Sequence, residues 1–252
     1  MGHHPITTAR HAQQWLQAYG YDTVEQMQEF YGLAVDGVIG PQTIGAMNIP
    51  RCGVPDFRLL GDCRWKNKRQ FRYWLGPGFN LFRKAGKPGK KLARDMIVAG
   101  FEAWTEVTGF TFVPAAKPTD TDFWIGGGRG REFDFDGPGN TLAWAYMPCG
   151  AFDALEMRFD IDERWSPQPV AVGDAIYALS VWLHELGHLL GLDHSRNPND
   201  IMAAYYNPAV HQLQAGDITR IRRLYDLPGT AEAVPSAEVS QESAFPEKPP
   251  AS

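Results

Sequence analysis

The sequence predicts an α+β protein in which a small all-helical unit precedes a larger unit of strands and long helices. Three observations carry this reading. At 252 residues the chain is long enough for one large core or two smaller ones. Apolar residues recur at helical spacing through the first fifty positions, whereas short strand-like runs begin at residue 70. Those strands are followed by long helices rather than alternating with them, which favours a segregated layer over βαβ units.

The elements follow in chain order. Ile6, Ala9, Ala12, Trp15, Leu16 and Tyr19 fall at helical spacing, and a second periodic stretch runs over 24–31. Asp36-Gly37-Val38-Ile39-Gly40-Pro41-Gln42-Thr43 reads as a glycine turn, with Pro41 placed to open a third short helix. This order resembles the peptidoglycan-binding-like three-helix fold, so residues 6–50 are read as one unit. A Pro/Gly/Cys-containing connector covers 51–64. Beyond it, 70–75 is strand-like and 92–107 is a helix burying Met96, Phe101 and Trp104. Strands are expected at 110–113, 122–125, 141–146 and 157–161. A long apolar helix is expected over 173–190 and an amphipathic one over 217–225. Residues 228–252 are mostly Ala, Pro, Ser and Glu, which predicts a disordered tail.

A net charge of −5 offers no basic footprint for nucleic acid, and no apolar run approaches the roughly 18–20 residues of a membrane span. Met1-Gly2-His3-His4-Pro5 lacks the charged start and apolar core of a secretion signal. The three cysteines are Cys52, Cys63 and Cys149, so at least one is unpaired within the chain. A Cys63–Cys149 disulfide would leave Cys52 free; three reduced thiols in a reducing compartment are the alternative.

The stretch that decides the chemistry is His184-Glu185-Leu186-Gly187-His188-Leu189-Leu190-Gly191-Leu192-Asp193-His194. Two histidines four apart share one helix face, so both imidazoles reach a single metal ion. Gly191 permits a backbone turn closed to other residues, which ends the helix and brings His194 to the same ion. Three imidazoles with one open position make a catalytic rather than a structural Zn2+ site. Glu185 is placed to move protons without binding the metal. A buried helix with three incidental histidines and a glutamate would leave costly unpartnered groups, which disfavours the purely structural reading.

This spacing is that of the metzincin motif, and two further segments narrow the resemblance. Ile201-Met202 resembles the methionine turn that floors the zinc in metzincins. Pro50-Arg51-Cys52-Gly53-Val54-Pro55-Asp56 is similar at every position to the cysteine switch of matrix metalloproteinase precursors. Residues 9–227 thus resemble that family. The resemblance implies a metzincin-type catalytic domain over 65–227, with a twisted mixed sheet and long helices, behind a three-helix prodomain. It implies a secreted, monomeric zinc endopeptidase, latent while Cys52 holds the fourth zinc position and Arg51 pairs with Asp56. Glu185 would be the general base and acid. A protein or peptide substrate would lie extended along the edge of strand 141–146. Relatives carry a Pro-x-Tyr wall beside the pocket for the residue after the cut. Here Ala203-Ala204-Tyr205-Tyr206 keeps Tyr206 but has Ala204 for the proline, and an apolar side chain is expected there.

Further metal sites follow from the same resemblance. Residues 135–141 and 159–163 resemble the family's Ca2+ loop and strand. Asp136, Asp160 and Glu163 would supply carboxylates, and Gly137, Gly139 and Thr141 carbonyls. A second family calcium site would fall near Asp122 and Glu156. The family's structural second zinc is expected to be absent, because no histidine lies between His11 and His184. Arg129, Arg131, Trp144 and Arg158 stand at or near its ligand positions, and neither guanidinium nor indole offers a lone pair. Salt links to Glu132, Asp134 or Glu156, with Trp144 as apolar filler, are expected instead. The other class of function is a cell-wall-binding module attached to a zinc hydrolase, suggested by the helical unit alone. The switch directly after that unit favours a propeptide.

Overall fold

The computed structural model describes residues 5–57, 63–77, 79–82, 87–149, 154–169 and 175–228; the expected tail lies outside them from residue 229 onward. Three short helices come first: α1 (Ala9–Ala18), α2 (Val24–Phe30) and α3 (Pro41–Met47). Thr8 and Thr23 cap the first two by accepting from the backbone N–H groups of His11 and Gln26, satisfying donors that a helix start leaves free. Pro41 opens α3, as the sequence predicts. The turn between α2 and α3 is held by buried Gln28. Its amide donates to Asp36 and to the Val38 carbonyl, and its oxygen accepts from Asp36 N and Gly37 N.

The remaining elements are β1 (Arg51–Cys52), β2 (Gln70–Leu75), α4 (Lys87–Thr108), β3 (Thr111–Pro114), β4 (Phe123–Gly128), β5 (Thr141–Ala145), β6 (Leu155–Asp160), β7 (Trp165–Ser166), β8 (Ile176–Tyr177), α5 (Ala178–Leu189) and α6 (Ala215–Leu224). Six strands form one sheet in the order β1-β5-β6-β4-β2-β3, and only the β5–β6 pair is antiparallel. The expected strands are present with edges shifted by a few residues. Two helices differ more. Helix α4 begins at Lys87 rather than 92. Helix α5 begins at Ala178, because Ile176-Tyr177 pair with β7 as a strand; the apolar run into the helix hides that change, since periodicity does not separate a short strand from a helix start.

The main core lies between the sheet and helices α4 and α5. Indole hydrogen bonds lock the two helices together: Trp182 Nε1 donates to the Ile97 carbonyl (3.0 Å) and Trp104 Nε1 to the Leu183 carbonyl (3.1 Å). Both indoles are fully buried, so these bonds satisfy donors that would otherwise be costly. A second apolar cluster gathers the helical unit, with Trp15, Tyr19, Met27 and Met47, around Ala204 and Tyr205 from the chain after α5. Tyr31 stacks on Tyr205 at 5.4 Å between ring centres. The helical unit therefore packs on the loop that follows the histidine motif.

Cys63 and Cys149 form a disulfide and Cys52 is a buried free thiol. Of the two readings of the cysteines, the structure takes the first.

Candidate metal centre

Helix α5 is buried along nearly its whole length and carries His184, Glu185 and His188 on its inner face. At Gly191 the chain turns back with φ +98°; a side chain there would also meet the Cys63 carbonyl oxygen at 1.9 Å. Only glycine satisfies both constraints. The turn returns His194 to the other two histidines. His184 Nδ1 lies 2.7 Å from the Ile201 carbonyl oxygen and His188 Nδ1 lies 2.7 Å from that of Leu192. A carbonyl only accepts, so both protons sit on Nδ1 and both Nε2 lone pairs face inward. His194 Nδ1 contacts Asp56 Oδ1 at 2.7 Å, off the ring N–H axis, and that carboxylate favours a proton on Nδ1 there too. His188 Nε2 and His194 Nε2 stand 3.2 Å apart, and His184 Nε2 is buried with no hydrogen-bond partner.

Beneath the histidines, Met202 is fully buried with its sulfur under Gly187, where a side chain would approach to 2.3 Å. Asp217 holds this turn by accepting from Ile201 N (2.9 Å) and Met202 N (3.0 Å). Sequence reasoning missed Asp217; its signal was the Gln214-x-x-Asp217 capping box of α6.

Cys52 faces the histidines from β1. One ligand atom from each of Cys52, His184, His188 and His194 lies within 4.8 Å of the others, and among the described residues no other group of three or more such side chains gathers this closely. Burial, reinforced by Glu185, pushes the Cys52 thiol well up, so a cation at the sulfur is what would make the thiolate the stable form. Burial pushes the Glu185 carboxyl up to about 8, partly opposed by the Cys52 thiol beside it. His184 is held down to about 3, by burial first and then by His194, so it is neutral near pH 7, as a metal ligand must be.

β1 lies where the sequence places an extended substrate. Arg51 N donates to the Asn140 carbonyl and Gly53 N to that of Ala143, along the edge of β5. On the opposite wall Cys52 N donates to the Ala204 carbonyl, and Tyr206 N donates to that of Pro50. Both walls of the cleft are thus filled by the chain's own segment.

Two buried charges pin that segment. Arg51 Nη2 bonds Asp56 Oδ1 (2.6 Å), Nη1 bonds the Tyr31 hydroxyl (2.7 Å) and Nε the Cys52 carbonyl (3.0 Å). Its guanidinium carbon stands 3.6 Å from the Tyr19 ring centre. Asp56 also accepts from the Tyr21 hydroxyl at 2.5 Å. Although burial opposes it, Arg51 and then His194 hold the Asp56 carboxyl well below the usual carboxylate range. The three tyrosines come from the helical unit, and the sequence alone read Tyr19 and Tyr31 as ordinary apolar positions.

A family model described as Matrixin matches residues 65–226, and another described as Putative peptidoglycan binding domain matches residues 8–47. The chain belongs to the matrixin family. This matrixin is 31% identical to Matrix metalloproteinase-15 of Homo sapiens over 258 residues, covering 86% of this chain and 38% of the relative. Identity is 34% to Macrophage metalloelastase of Rattus norvegicus (82% of this chain, 44% of the relative). It is 33% to Stromelysin-2 of Rattus norvegicus (89% of this chain, 47% of the relative). The chain thus spans less than half the length of these relatives.

The matrixin family implies a catalytic zinc, and the donor set fits it: three neutral imidazoles with Nε2 turned inward, and a soft sulfur opposite. The calcium-like loop of this matrixin brings acids together without closing them as tightly. Glu163 Oε1 accepts from Gly139 N (2.6 Å), Asp136 accepts from Asn140 and Thr141 N, and Asp160 Oδ1 accepts from Asp162 N. Asp160 Oδ2 is buried without a partner. Burial, with neighbouring carboxylates adding to it, raises Asp160 to about 6 and Glu163 to about 7. Near the second calcium position, Lys68 Nζ and Arg72 N occupy Asp122, and Arg158 pairs with Glu156. Arg158 also stacks on Trp124 (3.9 Å) and Phe133 (4.6 Å), while Trp144 Nε1 donates to the Phe133 carbonyl. Of the expected salt links, Arg158–Glu156 is present; Arg129 reaches Asp162 at 3.4 Å instead.

Proposed function

We propose that this matrixin is the latent form of a zinc-dependent endopeptidase, inhibited by its own Cys52. The observation that carries the reading is that Cys52 and the three histidines converge while β1 fills the cleft along β5. Zinc held by His184, His188 and His194 would supply Lewis acidity and make water a stronger acid near neutrality. Departure of β1 would relieve the burial that raises Glu185, and the ionised carboxylate then takes a proton from water at one oxygen and returns it to the leaving amine. Once β1 leaves, the carbonyls of Asn140, Ala143 and Ala204 and the N–H of Tyr206 are free to hold an extended protein or peptide substrate. Tyr206 and Met202 shape the pocket and the floor.

The domain division that fits is a prodomain over 6–50, a switch connector over 51–64, and a catalytic domain over 65–227. A cell-wall-binding role loses support, because Tyr19, Tyr21 and Tyr31 are engaged in gripping Arg51 and Asp56. The disulfide favours a secreted protein made in an oxidising compartment. No helix among the described residues is long and apolar enough to cross a membrane. We assign calcium to the loop of Asp136, Gly137, Gly139 and Thr141 with Asp160 and Glu163, and a monomeric state. The stacked Arg158 stands in for a structural second zinc.

The test is hydrolysis of quenched-fluorescent peptides by the full chain before and after an organomercurial displaces Cys52. Activity should appear only afterwards, and Glu185→Gln should lose it while retaining zinc. Equal activity beforehand, or normal turnover by the variant, would end the reading. Elemental analysis should give one zinc per chain; a second that survives loss of all three histidines would reject the single-site assignment.

A further inference from the structure

The Cys63–Cys149 disulfide joins two parts of the chain that a proteolytic cut would otherwise separate. Cys63 lies in the connector between Cys52 and β2, whereas Cys149 follows β5, so the bridge ties the connector to the larger unit before Trp65 is reached. The chain just after Cys63 is strapped down as well. Arg64 Nη1 donates to the Leu224 carbonyl (2.9 Å), Trp65 Nε1 to the Leu189 carbonyl (2.8 Å), and Trp65 N to the Tyr225 hydroxyl (3.2 Å). Beyond this strap the chain comes to the surface: Lys66 and Asn67 are exposed, and Asn67 turns with φ +57°. An exposed turn of this kind is where proteases nick a folded chain. Cys52 and Cys63 are eleven positions apart, and that tether is the same whether or not the peptide bond after Lys66 is intact. Held so close, the switch redocks as an intramolecular ligand, at the millimolar effective concentration of a short link.

We propose that this disulfide decides which cuts can awaken the enzyme, a regulation that rests on the peptidase reading above. A cut between Cys52 and Cys63 frees the helical unit together with the switch. A cut at the 66–67 turn does not: fragment 1–66 stays bonded to Cys149, and the two-chain protein stays latent. Reduction then supplies the missing release. One thiolate of a dithiol reductant attacks a bridge sulfur, the other sulfur leaves and takes a proton, and the reductant's second thiol resolves the mixed disulfide. Two electrons pass to the protein, Cys63 and Cys149 end as thiols, and the reductant ends as a disulfide. Cys63 is buried but Cys149 is only half-buried, which leaves the bridge open to that attack from one side. In the chain nicked at this turn, proteolysis and reduction are thus both required.

The experiment inserts the recognition sequence of a site-specific protease between Lys66 and Asn67 of the full chain. Brief Lys-specific digestion of the unaltered chain is a second arm that does not depend on the insertion folding. After the cut, a non-reducing gel should show the two fragments as one species. Cys52 should stay shielded from a thiol reagent, and peptide hydrolysis should stay at the uncut level. A phosphine reductant, which takes oxygen from water and ends as the phosphine oxide, should then raise hydrolysis at least about tenfold at dilutions far below the tether's effective concentration. The same reductant should leave the uncut chain latent, and Cys149→Ser should need only the cut. Hydrolysis or Cys52 labelling in the cut, unreduced chain overturns the inference. So does a cut chain that stays latent after reduction although an organomercurial activates it. If neither treatment yields hydrolysis while the gel and the labelling come out as stated, the tether stands and the peptidase reading falls.

Discussion

Replacing Arg51 with alanine should open the latch. Arg51 is almost fully buried and donates at once to Asp56, Tyr31 and the Cys52 carbonyl, with the Tyr19 ring beneath it. The variant leaves the Asp56 carboxylate buried, with only Tyr21 and His194 against it. Removing one partner of a buried ion pair costs about 3–5 kcal/mol. If that falls on docking, the closed-to-open ratio drops by roughly two to four orders of magnitude. Arg51→Lys keeps the charge but not the fork of donors, so it should fall between wild type and alanine. The assay follows two rates on the full chain: labelling of Cys52 by a thiol reagent, and peptide hydrolysis without activator. Both should rise for Arg51→Ala. A variant whose Cys52 stays shielded and whose latency matches wild type would refute the assigned role of the buried pair.

Two further outcomes are expected. Asp160 and Glu163 have folded-state values of about 6 and about 7, above the ordinary carboxylate range. They therefore add stability at low pH, and it is withdrawn as pH rises through those values. In chelator, Tm should fall across that window, and calcium should remove the fall; identical profiles would argue against a cation at this loop. Separately, Cys63→Ser should destabilise the chain by about 2–4 kcal/mol in denaturant unfolding, because the disulfide closes a long loop. An unchanged midpoint and slope would show that the disulfide is no brace.

The three histidines, Glu185 and Met202 were legible because their spacing is local: a helix face, one glycine turn and a short return. Cys52 was legible by motif, although it reaches the histidines across 132–142 positions of chain. What escaped reading depends on contacts that no local pattern encodes. Tyr19 and Tyr31 look like helical core and no local pattern marks Tyr21, yet their hydroxyls and rings serve Arg51, Asp56 and Thr141. Asp217 looks like an ordinary first-turn acid, yet it holds the methionine turn from another element. Two-residue strands such as β1, β7 and β8 are too short to show a period, so the strand start ahead of α5 merged into its helix. Arg158 was expected to make salt links; its stacking between Trp124 and Phe133 depends on β4 and β6 pairing side by side.

The central claim, that Cys52 and the three histidines share one zinc, is tested most directly by zinc K-edge X-ray absorption on the full chain. The account predicts one sulfur at roughly 2.3 Å beside three nitrogens at roughly 2.0–2.1 Å. The sulfur shell should vanish in Cys52→Ser, with the nitrogens retained. A wild-type spectrum with nitrogen and oxygen neighbours but no sulfur would contradict it.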